Sequence, residues 1–431
     1  VAPLTLGCKV NQYETDGMIE LLKEAGMTAV SFEEKADVYL INTCSVTNMA
    51  DKKSRQMIHR AKKLNPDAVV IAAGCYVQAA KDKLMEDDRI SIIIGNNKKK
   101  DIVQILEDYL EIGVTDEGML DIAAEKEYEP LTINSTLEHT RAYVKIQDGC
   151  NQFCSYCIIP YVRGRIRSRE LASITEEVER LAQTGVKEIV LTGIHISSYG
   201  KDKENEVGLA DVIDAISKIE SIERIRLGSL EPGIITDTFI DRIVDNKKVC
   251  PHFHLSLQSG CNTVLKRMNR KYTCEEYFEK CEMLRKAFDR PALTTDVIVG
   301  FPGETDEEFQ ETVDYLTKLN LYEMHIFKFS PRQGTVAAGM RDQIGPEIKN
   351  QRSDVLLALS EKNKHAYEAS FRGETLEVLI EEKVRRNGKD GYRGHTERYI
   401  DIFVEEECMH RICGREVDII NHIVQIPYGM E

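Results

Sequence analysis

Residues 143–157 read Tyr143-Val-Lys-Ile-Gln147-Asp-Gly-Cys150-Asn-Gln-Phe-Cys154-Ser-Tyr-Cys157. The first five read as a strand, and three cysteines follow it almost at once. Thiolates at this spacing can wrap one corner of a four-iron cubane. With twelve cysteines in 431 residues, a chance match to this triple is on the order of 1%. No fourth Cys or His follows closely, as a zinc knuckle or similar site would need. A four-iron cluster held by three thiolates leaves one iron open to a small molecule.

Working outward, the chain continues as strand–helix units. Strands are expected at Ala142–Gln147, Glu188–Thr192, Arg224–Leu227, Phe253–Leu257, Thr295–Val299 and Met324–Phe329, with helical stretches between them. Six such units in series predict a partial parallel barrel, whose active site forms at the carboxyl ends of its strands. The cysteine motif holds that position. So do Thr192-Gly193-Ile194-His195, Ser229-Leu230-Glu231-Pro232, Gln258-Ser259-Gly260 and Gly300-Phe301-Pro302-Gly303-Glu304. Each taken alone reads as an ordinary turn.

Upstream, Leu4–Leu6, Val38–Asn42, Val69–Ala72 and Ile90–Ile94 read as strands, with helices over 13–25, 46–64, 77–87 and 100–110. Continuously apolar strands alternating with helices imply a small parallel sheet covered on both faces. Pro3 suits an edge strand or a strand start. Cys8, Cys44 and Cys75 each follow one of these strands. Carboxyl ends of parallel strands share one edge, so these thiols are expected to converge on a second ligand site. The alternative is three unrelated buried cysteines. The other six cysteines, Cys250, Cys261, Cys274, Cys281, Cys408 and Cys413, read as structural thiols.

Residues 112–138 are acidic and weakly patterned and read as a linker. A helix near 347–368 leads to short strands at Leu376–Glu381, Gly391–Arg393, Tyr399–Val404, Val417–Ile420 and Ile423–Gln425, which predict a small β-barrel of oligonucleotide-binding size. The formal net charge is −15, which opposes non-specific nucleic-acid binding by the whole surface. Basic runs over 51–63 (Lys52, Lys53, Arg55, Arg60, Lys62, Lys63) and after the cysteine motif (Arg163, Arg165, Arg167, Arg169) fit an RNA contact confined to one face. Each run also fits a solvated or ion-paired face. The unit from Phe371 onward is acidic. No run of eighteen apolar residues appears, so no membrane span is expected. Val1-Ala2-Pro3-Leu4 lacks a signal-peptide pattern. Twelve cysteines without a secretory signal point to reduced thiols or metal ligands.

Both cysteine sets, in this order, resemble the methylthiotransferase branch of the radical S-adenosylmethionine enzymes. The resemblance implies an α/β chain of three parts: a parallel-sheet N-terminal domain over 1–118, a (β/α)6 radical barrel over 139–368 and a small β-barrel, the TRAM domain, over 370–431. The stretches Thr5-Leu-Gly-Cys-Lys-Val-Asn-Gln-Tyr-Glu-Thr15, Asn42-Thr-Cys-Ser-Val-Thr-Asn48 and Lys145-Ile-Gln-Asp-Gly-Cys150 look most like the MtaB type, which modifies N6-threonylcarbamoyladenosine beside the tRNA anticodon. The isopentenyladenosine branch tends to have Arg-Glu in place of Thr47-Asn48, and the branch acting on a ribosomal-protein aspartate Ser-Glu in place of Gln147-Asp148.

Carried over, the resemblance implies two four-iron clusters: Cys150, Cys154 and Cys157 for the one that binds S-adenosylmethionine, Cys8, Cys44 and Cys75 for the auxiliary one. Tyr156, Gly193, Gln258, Ile298 and Gly300 match cofactor-contact positions, and Arg163 and Arg165 are candidates for tRNA phosphates. It also implies a reductase, flavodoxin or ferredoxin as electron donor, and a cytoplasmic enzyme. An RNA-binding or electron-transfer protein with structural clusters is the non-enzymatic alternative. Anaerobic loading with iron and sulfide is expected to give roughly eight irons per chain. A Cys8→Ala/Cys44→Ala/Cys75→Ala variant should keep only about four by iron assay, and a wild type that already stops at that number argues against the auxiliary cluster.

Overall fold

The computed structural model describes residues 1–113, 119–134, 140–204, 207–414 and 419–429. Its first sheet holds β1 (Ala2–Thr5), β2 (Val38–Thr43), β3 (Val69–Gly74) and β4 (Ile92–Ile94), all parallel and in chain order. Both faces are covered, as apolar strands require. Tyr39 and Ile41 pack with Ile58 and Val70 on one side, Leu40 and Ile71 with Met18, Leu22 and Ile105 on the other. Pro3 lies in the edge strand, where its missing N–H costs nothing. Helix Lys9–Glu24 begins earlier than expected, because extended Cys8 serves as its N-cap just after the Leu6-Gly7 turn that follows β1. The expected helix 77–87 is two short ones, Cys75–Ala79 and Lys81–Met85, broken at Ala80 (φ −133°).

The second layer is the expected parallel barrel: β5 (Arg141–Asp148), β6 (Arg167–Ser168), β7 (Glu188–Gly193), β8 (Arg224–Leu227), β9 (His252–His254), β10 (Ala292–Val299) and β11 (Glu323–Lys328). β5, β7 and β8 run parallel, as do β9, β10 and β11. Parallel bridges Ile225↔Val249 and Leu230↔Leu255 join the two groups. The short β6 pairs antiparallel on the outer edge of β5. Ala142, Val144, Ile189, Leu191, Ile225, Phe253 and Val297 pack outward into one core with the surrounding helices. Strand alternation therefore turns Arg141, Tyr143, Glu188, Arg226, His254 and Asp296 inward. This polar interior also explains why the strands are less uniformly apolar than those of the first sheet.

The acidic segment expected to be a linker is a strap in its described part, 119–134. Ile122, Leu131 and Ile133 are buried, and the Tyr128 hydroxyl donates to the Lys145 carbonyl at 2.8 Å. The rest of that expected linker lies largely outside the described residues. Helix Lys9–Glu24 packs along β5, with the Tyr13 hydroxyl donating to the Leu131 carbonyl at 2.6 Å, so the first sheet is docked on the barrel.

After the long helix Pro346–Ala369 comes an antiparallel curled sheet of β12 (Thr375–Arg386), β13 (Lys389–Thr396), β14 (Asp401–Glu405) and β15 (Ile423–Pro427), in the order β14-β13-β12-β15. A bulge between Ile380 and Glu382 bends it. Helix Glu406–Cys413 was not expected. Of the strand expected at 417–420, residues 417 and 418 lie outside the described residues, and Ile419 and Ile420 form no strand. No helix among the described residues is long and apolar enough to cross a membrane.

This sheet seats against the amino end of the barrel. Arg224 donates to the His395 carbonyl at 3.1 Å and Arg226 to the Glu397 carbonyl at 2.8 Å. Arg226 also pairs with Glu188 at 2.7 Å and lies over the Tyr399 ring, which stacks between His252 and His395. Arg226→Ala should leave buried Glu188 poorly matched and cost about 3 kcal/mol. The expected readout is a lower urea midpoint together with earlier proteolytic cleavage between 370 and 400. A variant that melts and is cleaved like wild type would show this seating of the sheet on the barrel to be unimportant.

Candidate active site

Cys8, Cys44 and Cys75 come together at the carboxyl edge of the first sheet, because each follows one of three neighbouring parallel strands. The loops are pinned by backbone demands. Gly7 has φ +109°, and a Cβ there would lie 2.7 Å from the Cβ of Cys44 and 2.9 Å from its sulfur. Asn11 staples the loops by donating to the carbonyls of Leu6 at 2.7 Å and Thr43 at 3.0 Å. Gly74 has φ +96°, and a side chain there would strike Asn42 Oδ1 at 2.4 Å. The thiols are near enough to feel one another's charge, and burial pushes the Cys44 thiol up to about 11. Cys8 is exposed while Cys44 and Cys75 are buried. The second site lies where the strand ends of the barrel open.

There, Cys150, Cys154 and Cys157 occupy the loop leaving β5. Gly149 (φ +71°) allows the loop to press on the Arg165 carbonyl, which a Cβ would meet at 1.8 Å. Cys150 N–H donates to the Gly164 carbonyl at 3.1 Å, and Asn269 donates to the Phe153 carbonyl at 2.9 Å. Burial pushes the Cys150 thiol up to about 11 and that of Cys157 to about 12. Burial by itself leaves these thiols neutral, so holding them as the thiolates a cluster needs requires fixed positive charge nearby. Arg270 supplies this: it donates to the Cys154 sulfur at 3.2 Å and pairs with Glu231 at 2.9 Å. Among the described residues all cysteines are unpaired thiols. Two clusters of three free thiols on glycine-shaped loops, each with a guanidinium at hand, fit anionic iron–sulfur clusters.

The remaining expected positions lie on the same rim. Tyr156 and Ile298 pack against the apolar cluster that holds Phe301 and Phe329. Gly193 is so close to β5 that a Cβ would lie 2.9 Å from the Gln147 carbonyl. Gln258, in the left-handed region at φ +77°, accepts the Ile298 N–H at 2.9 Å. Gly300 N–H donates to Glu304 at 2.7 Å.

Arg163 requires a correction. It is fully buried and cannot meet tRNA phosphates. Its Nε donates to the Cys75 sulfur at 3.3 Å, its Nη1 to Glu14 at 2.6 Å and its Nη2 to Asn11 at 2.8 Å. Glu14 also pairs with Lys99 and Lys145, each at 2.7 Å. Arg167 and Arg169 are buried too, so of the four arginines after the motif only Arg165 is exposed, over the Phe153 ring. Cys75, Ile158 and Val162 share one apolar cluster, so the residues right after the barrel motif touch the first triad. Sequence reasoning missed Glu14 and Arg270. The one available signal was a carboxylate on the buried face of helix Lys9–Glu24. Of the six other cysteines, Cys250, Cys261, Cys274 and Cys281 are buried, and Cys408 and Cys413 half-buried.

The chain matches the Radical SAM superfamily over residues 144–316 and the Uncharacterized protein family UPF0004 over residues 1–95. It is 42% identical to the threonylcarbamoyladenosine tRNA methylthiotransferase MtaB of Bacillus subtilis, across 99% of this chain and 93% of that one. The protein of the same name from Aquifex aeolicus is 40% identical across 93% and 96%. A tRNA-2-methylthio-N(6)-dimethylallyladenosine synthase of Thermoanaerobacter pseudethanolicus is 36% identical across 96% and 89%. The solved radical S-adenosylmethionine methyltransferase TsrM of Kitasatospora setae, with cobalamin and a 4Fe-4S cluster bound, shares the fold: TM-score 0.57, 17% identity, 78% of this chain and 76% of that one.

Burial opposes ionisation of Glu14, but Arg163, Lys145 and Lys99 overcome it and hold the carboxyl well below the usual range. A depressed carboxyl stabilises the fold above the ordinary carboxylate pKa of about 4.3 and loses that contribution as pH falls below it. Glu14→Gln should therefore cost about 3–5 kcal/mol at neutral pH. The gap to wild type should narrow below about pH 4, as urea unfolding at several pH values would measure.

Proposed function

The chain belongs to the radical S-adenosylmethionine tRNA methylthiotransferases, and from that membership we propose that it adds a methylthio group to C2 of N6-threonylcarbamoyladenosine, next to the tRNA anticodon. The observation that carries this reading is 42% identity to the Bacillus subtilis threonylcarbamoyladenosine enzyme over nearly the whole of both chains. It is supported by two converged sets of free thiols in a fold that suits them.

The ligands we assign are Cys150, Cys154 and Cys157 for one four-iron cluster and Cys8, Cys44 and Cys75 for the other. With S-adenosylmethionine bound, these groups supply a radical able to remove the C2 hydrogen, which no side-chain base can do, and the sulfur that replaces it. The chain itself supplies placement. Arg270 and Arg163 hold cationic charge against a thiol of each set. Tyr156 and the rim backbone at Gly193, Gln258, Ile298 and Gly300 form the wall we assign to S-adenosylmethionine. Exposed Arg165, and exposed Lys52, Lys53 and Lys63 on helix Asn48–Leu64 beyond Cys44, are the basic residues we assign to RNA. The electron donor in this reading is a reductase, flavodoxin or ferredoxin, and the setting is the cytoplasm.

Mass spectrometry of tRNA nucleosides from a strain lacking the gene tests the assignment. The expected result is loss of the 2-methylthio form of threonylcarbamoyladenosine and accumulation of its unmodified precursor. Loss of methylthio-isopentenyladenosine instead would move the substrate to the other branch, and unchanged tRNA would exclude RNA as the target.

A further inference from the structure

Below the rim, the barrel interior carries polar chemistry that sulfur insertion does not use. His252 and His254 of β9, Asp296 of β10 and His325 of β11 line one wall. His254 is anchored to Thr294 at 2.9 Å and lies 3.4 Å from Asp296, so that carboxylate already faces a partner. The rings of His254 and His325 stack at 5.7 Å. The Nδ1 of His252 is buried and has no hydrogen-bond partner among the described residues.

Into this interior the first sheet sends Lys9. Its ammonium lies 5.9 Å from the centre of the Tyr143 ring, and its charge acts on Arg226, Arg141, Glu188 and His252. The neighbouring guanidiniums are matched, Arg226 by Glu188 at 2.7 Å and Arg141 by Glu381 at 3.3 Å. Lys9 has no carboxylate within salt-bridge distance among the described residues. An ammonium held over an aromatic ring beside other cations gains from an incoming anion more than from any apolar group. Lys9 directly follows Cys8, so the turn that places the thiol also places the ammonium.

We propose that Lys9 binds the carboxylate of the N6-threonylcarbamoyl group, and that the histidine wall contacts the polar remainder of that substituent. The contact selects an anionic N6 substituent over an apolar one, because an apolar group here would strip water from Lys9 without replacing it. The inference rests on threonylcarbamoyladenosine being the substrate.

The test titrates iron-loaded holoenzyme, as wild type, Lys9→Gln and Lys9→Arg, with an anticodon stem-loop RNA bearing threonylcarbamoyladenosine. A parallel titration uses the same RNA with the threonyl carboxylate converted to its neutral methyl ester. Wild type should bind the acid roughly tenfold to a hundredfold more tightly than the ester. Lys9→Gln should lose that preference and Lys9→Arg should keep most of it, at wild-type iron content. A Lys9→Gln protein that still prefers the acid overturns the inference. So does a wild type that binds both RNAs equally, which decides the matter even if the variant loads iron poorly. Neither outcome alters the nucleoside analysis, on which the substrate assignment stands separately.

Discussion

One buried carboxylate organises the meeting of the first sheet and the barrel. Glu14, on a helix of the first sheet, accepts from Arg163, Lys145 and Lys99 with no exposure to solvent. Three cations so close would repel one another strongly in a low-dielectric interior. A single carboxylate, helped by Asp148 at 3.2 Å from Arg163 and 2.6 Å from Lys145, makes their approach possible. Buried networks of this kind contribute little as net stability and much as geometry, since every member has one acceptable position. The consequence is that Arg163, from the segment after the barrel cysteines, rests against Cys75 of the first sheet.

The thiols follow the same logic from the opposite sign. Burial pushes Cys44, Cys150 and Cys157 towards the neutral form, while cluster ligation needs thiolates. Arg163 and Arg270 offset that difference with fixed positive charge placed by their own carboxylate partners, Glu14 and Glu231. Backbone shape does the rest. Gly7, Gly74 and Gly149 sit where any side chain would collide with the loop carrying a cysteine or with its neighbours.

The terminal sheet answers a puzzle in its charge. An acidic unit is a poor clamp for RNA, yet it offers carbonyls and a carboxylate to the arginines at the amino end of the barrel. Arg224, Arg226 and Arg141 use Glu377, His395, Thr396, Glu397 and Glu381 in this way. Four of these acceptors are backbone carbonyls and Glu381 alone is a carboxylate, so it is chiefly the sheet's backbone that closes the floor of the barrel beneath the cysteine rim.

The cysteine spacing, the six strand–helix units and the apolar runs of the first sheet were legible because local pattern encodes them: period, turn residues and strand-end position survive in a linear reading. The same holds for the convergence of Cys8, Cys44 and Cys75, since parallel strands in chain order leave their carboxyl ends side by side. What the chain could not disclose in one dimension was which charges are buried. Arg163 and Arg165 look alike in sequence, but one lies beneath the first triad and the other in solvent. The acidic strap at 119–134 reads as a linker until its isoleucines and leucine are seen inside the core. Only tertiary packing decided these, because the fate of a charge depends on partners more than a hundred residues away, such as Glu14 for Arg163, and no local periodicity records them.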